Sequence, residues 1–199
     1  MGSNGRSTNG KSQPLYATRI DLSSEIRTKV IAILNHSLAS TLDLKTQVKQ
    51  AHWNVKGLQF YQLHELFDEM ASELEEYVDM VAERVTALGG LAVGTARTAA
   101  AQSILPEYPF DILDGKDHVI ALAERYAAYG KLVRESIDAT DDLGDADTAD
   151  LYTEISRDID KRLWFLEAHL QTAVEEVVSA TAASEVAEPK AKKTAKGAK

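Results

Sequence analysis

Residues 58–88 constrain the fold more than any other stretch of this 199-residue chain. Phe60, Leu63, Phe67, Met70, Leu74, Val78, Val81, Val85 and Leu88 recur at steps of three and four, the period of a helix with one buried face. Gly57 precedes the run and Gly89-Gly90 end it, as glycines do at helix C-termini. An apolar stripe this long must be covered by other helices. One is predicted in DLSSEIRTKVIAILNHSLASTLDLKTQVKQAHWNV, with Asp21 or Ser23 as cap and Ile26, Val30, Ile33, Leu34, Leu38, Leu42 and Val48 on its apolar side. A third is expected from about Lys116 to Ile137 and a fourth from about Asp147 towards Val178, separated by an acidic turn, DATDDLGDADTAD. The connection 91–115 contains Pro106 and Pro109, and its TARTAAAQS predicts a short helix. A link of this length implies a crossover or a functional surface. No alternating strand pattern and no internal repeat is present. The expectation is an all-α four-helix bundle with a short helix in the long crossover between helices two and three.

The ends differ from the body. Residues 1–14 are rich in Gly, Ser and Asn and predict a disordered N-terminal tail. Residues 181–199 predict a disordered, Lys-rich C-terminal tail, leaving 15–180 for the bundle. The net charge is −9, yet Lys190, Lys192, Lys193, Lys196 and Lys199 crowd the last eleven residues with no acid among them. Setting these aside with Arg6 and Lys11 leaves −16 on residues 15–188, an acidic body with a basic tail. The absence of cysteine excludes disulfides, Fe–S clusters and thiolate zinc sites and fits a reducing compartment. No apolar run approaches a membrane span, and MGSNGRSTNGKSQPLY lacks the apolar core of a secretory signal. Arg6 stands where a myristoylation motif wants Ser or Thr. A cytoplasmic protein is expected.

Five side chains carry metal-binding chemistry: His52, His64, Asp68, Asp79 and Glu83. Imidazole and carboxylate donors suit iron, zinc or manganese. With His64 set at zero on helix two, Asp68 lies near 40°, Asp79 near 60° and Glu83 near 100°. This stripe is centred about 130° from the apolar one, so it cannot point into its own bundle. His64 and Asp79 are also roughly 22 Å apart along the axis. Either these are two unrelated half-sites, or the helix pairs antiparallel with its copy, so that His64 and Asp68 face Asp79 and Glu83 of the other subunit. His52, near the end of helix one, completes the histidine half in that arrangement. Against both stands the plain alternative of a solvated helix face. Ordinary di-iron bundles use Glu-x-x-His pairs, but Ile33, Lys49, Tyr61, Gly115 and Leu166 stand three before the five histidines. An intrabundle di-iron site is therefore excluded.

AHWNVKG, LHELFDEM, DMVAERVTALGG and DTADLYTEISRDIDKRLWFLEAHL together resemble the Dps family, the DNA-binding proteins from starved cells or mini-ferritins. The likeness covers roughly residues 16–175. It implies a ferritin-like bundle assembled into a hollow homododecamer. It also implies a ferroxidase centre built from His52, His64 and Asp68 of one subunit and Asp79 and Glu83 of its two-fold mate. The implied chemistry is oxidation of Fe(II), with hydrogen peroxide as the preferred oxidant, and storage of ferric mineral inside the shell. Trp53, beside a ligand, is read either as a trap for stray oxidising equivalents or as interface packing. The acidic turn matches the family's three-fold iron pores, with Asp150 as the firmest match and Asp141, Asp145 and Asp147 as neighbours; the alternative is a solvated loop with Asp147 as N-cap. Glu69, Glu73 and Glu76 are candidates for mineral nucleation, or simply a wet surface. The tail resembles those that some members use on DNA, through salt-sensitive phosphate contacts multiplied over the particle; the alternative is a solubilising tail. DNA binding would make the protein nucleoid-associated. Two further readings remain: a mainly structural, DNA-compacting nucleoid protein with a secondary metal site, and a plain zinc- or manganese-binding bundle.

Overall fold

The computed structural model describes residues 14–171. The chain forms α1 (Ser24–Asn54), α2 (Phe60–Ala87), α3 (Ala96–Gln102), α4 (Gly115–Asp142) and α5 (Ala146–Ala168). Among the described residues there is one isolated bridge, Lys56 to Asp114, and no strand. Nor is any described helix long and apolar enough to cross a membrane. Both predicted tails, including Lys190, Lys192, Lys193, Lys196 and Lys199, lie outside the described residues, apart from Pro14.

Local chemistry sets the helix boundaries. Ser23 caps α1, its Oγ accepting from the Ile26 N–H at 3.2 Å, and Asp114 caps α4 through the Lys116 N–H at 2.8 Å. Both satisfy N–H groups that have no partner within the helix. α1 and α2 form one antiparallel hairpin and α4 and α5 the other. The Lys56 N–H donates to the Leu113 carbonyl at 3.1 Å, tying the start of α4 to the end of α1. Helices α2 and α4 therefore start at the same end and run parallel, which is why residues 88–114 must travel the length of the bundle. The predicted short helix lies within this crossover and packs on α1.

The core follows the predicted stripe of α2 with two departures. Phe60 is 44% exposed and Val78 only partly covered, whereas Ala71 and Tyr77 are buried. An apolar repeat of 3.5 drifts round a helix of 3.6, so one stripe cannot stay centred over eight turns. Across the bundle, Tyr129 and Tyr152 are fully buried and place their hydroxyls 2.7 Å from Thr41 Oγ1 and 2.6 Å from Ser37 Oγ. These bonds offset the cost of burying a phenol oxygen.

Three expectations are corrected. The acidic stretch 138–150 is mostly helical: α4 continues to Asp142, and the turn is only Leu143-Gly144-Asp145, with Gly144 at φ +78°. Asp145, not Asp147, caps α5, accepting from the Thr148 N–H at 3.1 Å. The fourth helix ends at Ala168 rather than running on to 171, and the rest of the predicted span towards Val178 lies outside the described residues.

Candidate metal centre

His52 leaves α1 in its last turn, and His64 sits in the first turns of α2 on the other side of the loop. The hairpin brings their rings into a stack, with centroids 3.8 Å apart and planes 20° from parallel. Each ring is held by the other's backbone. His52 Nδ1 lies 2.9 Å from the His64 carbonyl oxygen, and His64 Nδ1 lies 2.9 Å from that of His52. A carbonyl oxygen only accepts, so each Nδ1 carries a proton and Nε2 is the nitrogen left to offer a lone pair to a metal ion. This is the arrangement of a metal-ligating histidine whose second nitrogen fixes the tautomer.

Asp68 lies one turn beyond His64 on α2, and its Oδ1 is 3.8 Å from His52 Nε2. Three of the five predicted donors therefore share one patch. Asp68 Oδ1 also accepts from Lys49 Nζ at 2.6 Å. That contact holds the carboxyl below the usual aspartate range, helped by the nearby histidines and opposed by partial desolvation.

Asp79 and Glu83 stand about two turns and one turn from the C-terminal end of α2, exposed, and their side chains make no hydrogen bond or ion pair among the described residues. The helical rise keeps them roughly 20 Å or more from the histidine patch of the same chain. Among the described residues, no three His, Asp or Glu side chains of one protomer are grouped closely enough to hold a metal ion. Trp53 is 65% exposed and lines an open groove with Gln50, Tyr108 and Phe110, on a different side of α1 from His52.

Asp141, Asp147 and Asp150 are exposed at the α4–α5 turn, but Asp145 is 2% exposed. Its Oδ1 accepts from Arg84 Nη2 at 2.6 Å and its Oδ2 from the Thr148 hydroxyl at 2.6 Å, while Arg84 Nε donates to Thr148 Oγ1 at 2.8 Å. Asp145 is thus committed within the protomer and is not free to face a pore. Glu69 and Glu73 are likewise engaged: Arg162 Nη1 and Nε donate to them at 3.2 and 2.9 Å. Glu76 remains exposed.

Sequence reasoning missed Lys49, Arg84 and Arg162. The lysine had a signal, since it stands three residues before His52 and so shares its face of α1. The two arginines had none, because each meets its partner across more than sixty residues of chain.

A model of the ferritin-like domain matches residues 31–174. The chain is 48% identical over 156 residues to the DNA protection during starvation protein of Agrobacterium fabrum, covering 78% of this chain and 96% of that relative. A similarly named protein of Halobacterium salinarum is 32% identical over 171 residues, covering 84% of this chain and 91% of its own. Among solved structures, the tetragonal form of Mycobacterium smegmatis Dps superposes with a TM-score of 0.77 at 30% identity, covering 80% of this chain and 96% of that one. DpsC from Streptomyces coelicolor gives 0.76 at 32%, covering 80% and 93%.

Proposed function

Because the chain belongs to the Dps family of ferritin-like proteins, we propose that it is a ferroxidase and iron-storage shell whose reactive centre is completed by a second subunit. His52, His64 and Asp68 supply one half of each centre, and Asp79 and Glu83 of the two-fold mate supply the other. The observation that carries this reading is the reciprocal locking of His52 and His64, which leaves both Nε2 lone pairs available beside a carboxylate. A solvated helix face has no need of such an arrangement. The donor set is oxygen- and nitrogen-rich, so it holds Fe(II) and also stabilises Fe(III); it accepts zinc or manganese as well.

The substrate is Fe(II) and the oxidant hydrogen peroxide. Two Fe(II) each give one electron, the peroxide O–O bond breaks, and two protons complete two waters. Pairing the electrons avoids release of hydroxyl radical, which is how the reaction protects DNA. Ferric product is deposited as mineral inside a homododecamer. Asp141, Asp147 and Asp150 form the carboxylate ring that concentrates incoming cations. Trp53, next to His52 in sequence but on another side of α1, intercepts stray oxidising equivalents or packs at the subunit interface.

The test is an anaerobic Fe(II) titration of the assembled protein followed by peroxide, reading ferric absorbance and particle mass together. Wild type is expected to oxidise and retain iron, and a His52→Ala/His64→Ala protein to lose rapid oxidation. Equal rates in both would end the assignment.

The five-lysine tail on an acidic body favours a second role, DNA binding through salt-sensitive phosphate contacts, and with it a cytoplasmic, nucleoid-associated location. If compaction of DNA is the main function and the metal site secondary, the double histidine variant retains full DNA shifts. Deleting residues 189–199 is expected to abolish those shifts and leave iron oxidation intact.

A further inference from the structure

We infer that Lys49 is a resident counter-ion of the metal centre: its ammonium holds Asp68 while the site is empty, competes with the incoming cation, and retakes the carboxylate when oxidised iron leaves. This rests on the reading of His52, His64 and Asp68 as metal donors.

The geometry is specific. Lys49 lies three residues before His52, on the same face of α1, and its Nζ is 2.6 Å from the Asp68 oxygen that faces His52 Nε2 at 3.8 Å. The ammonium is therefore bonded to the carboxylate that stands beside the two imidazole rings. A divalent cation taking their lone pairs must either replace the ammonium on Asp68 Oδ1 or bind with a positive charge a few ångströms away. Both lower its affinity. The Lys49 side chain is 30% exposed in the single protomer, and its flexible four-carbon stem lets the ammonium swing away from Asp68.

The consequence for turnover follows from charge. With the ammonium present Asp68 is not a bare carboxylate, so the half-site holds a cation less tightly than the same donors would without Lys49. As ferric product moves to the mineral, the same ammonium satisfies Asp68 again. A tight site would capture iron once; this one resets.

The plainest alternative is that Lys49 is only a rung between α1 and α2, like the Lys45–Glu75 pair one turn earlier. The two are separable by zinc calorimetry on the metal-free assembled particle, since zinc binds without redox chemistry. Lys49→Met and Lys49→Gln are expected to bind zinc about tenfold more tightly than wild type, from loss of one nearby positive charge. Lys49→Arg should stay within about twofold of wild type by the same reasoning, and Lys45→Met should leave zinc affinity unchanged. Thermal melts of the metal-free variants confirm that each is folded. Asp68→Asn serves as the control for the site itself. If wild type shows zinc binding that Asp68→Asn abolishes, yet both neutral variants bind no more tightly, the counter-ion role is wrong and the metal centre stands. If wild type has no Asp68-dependent zinc site, the metal-centre reading falls and this inference with it.

Discussion

Single residues carry the constraints that periodicity does not express. Gly89 sits at φ +85°, and a β-carbon there would lie 2.4 Å from the Tyr16 carbonyl oxygen and 2.9 Å from Arg27 Nη1. The reason is a clamp: the Tyr16 N–H donates to the Gly89 carbonyl, while Arg27 Nη1 donates to the carbonyls of Leu88 and Tyr16. A buried guanidinium thus closes the C-terminal end of α2, where the helix dipole welcomes positive charge. Gly89→Ala is expected to cost about 2–3 kcal/mol, combining backbone strain with the clash, read as a lowered denaturation midpoint at unchanged iron oxidation. His118 makes a different kind of prediction. It is 1% exposed, with Nδ1 2.7 Å from the Tyr108 hydroxyl and Nε2 without a partner among the described residues, and burial pushes its pKa down despite the nearby Asp117 and Asp114. A depressed histidine value means the unfolded chain binds the extra proton first. Its contribution is therefore constant at neutral pH and falls as pH drops below about 6.5, until the folded value is reached. His118→Phe should flatten the stability profile in that window. An unchanged slope would show that another group governs it.

At the scale of whole elements, one ion pair binds the end of α2 to the start of α5. Asp145 caps α5 and takes Arg84 from α2, with Thr148 bridging both. Removing one partner of a buried pair leaves the other charge uncompensated, and here the cap goes too. Asp145→Ala is expected to destabilise by roughly 3 kcal/mol or more. Asp147→Ala, exposed and 3.9 Å from Arg84, should stay within about 0.5 kcal/mol; comparable losses in chemical denaturation would refute the assignment of the cap. This turn also shows where sequence reading stopped. The four long helices and the short α3 were legible, and the cap of α1 was narrowed to Asp21 or Ser23, because apolar spacing, glycine punctuation and caps are local signals. The acidic turn was not. Asp141, Asp142, Asp145 and Asp147 look alike as letters, and only Arg84, sixty-one residues away, decides which one is buried. The same limit applies at the candidate site. The wheel placed His64, Asp68, Asp79 and Glu83 off the core face, but the stacking of His52 on His64 depends on how tightly residues 55–59 turn. Glu69 and Glu73 read as free acids until Arg162 arrives from α5.

The molecule as a whole has a donor set that its own length divides. His52, His64 and Asp68 gather at one end of α2, and Asp79 and Glu83 stand near the other. If a two-fold axis joins these ends, each pair of subunits builds two centres, and every centre takes one half from each chain. That makes the two halves separable by mixing. A His52→Ala/His64→Ala protein lacks one half and an Asp79→Ala/Glu83→Ala protein lacks the other, so each assembled alone is expected to have no intact centre. Co-assembled from equal amounts, half of the two-fold pairs contain one chain of each kind. In such a pair one centre receives both defects and the other receives neither. About a quarter of the wild-type centres should therefore return, measured as zinc stoichiometry per subunit and as the amplitude of the first peroxide-driven ferric absorbance. Centres formed within one protomer would give no recovery at any mixing ratio, because neither chain carries an intact set. The outcome depends on geometry alone, so full recovery is as damaging to the two-fold arrangement as none.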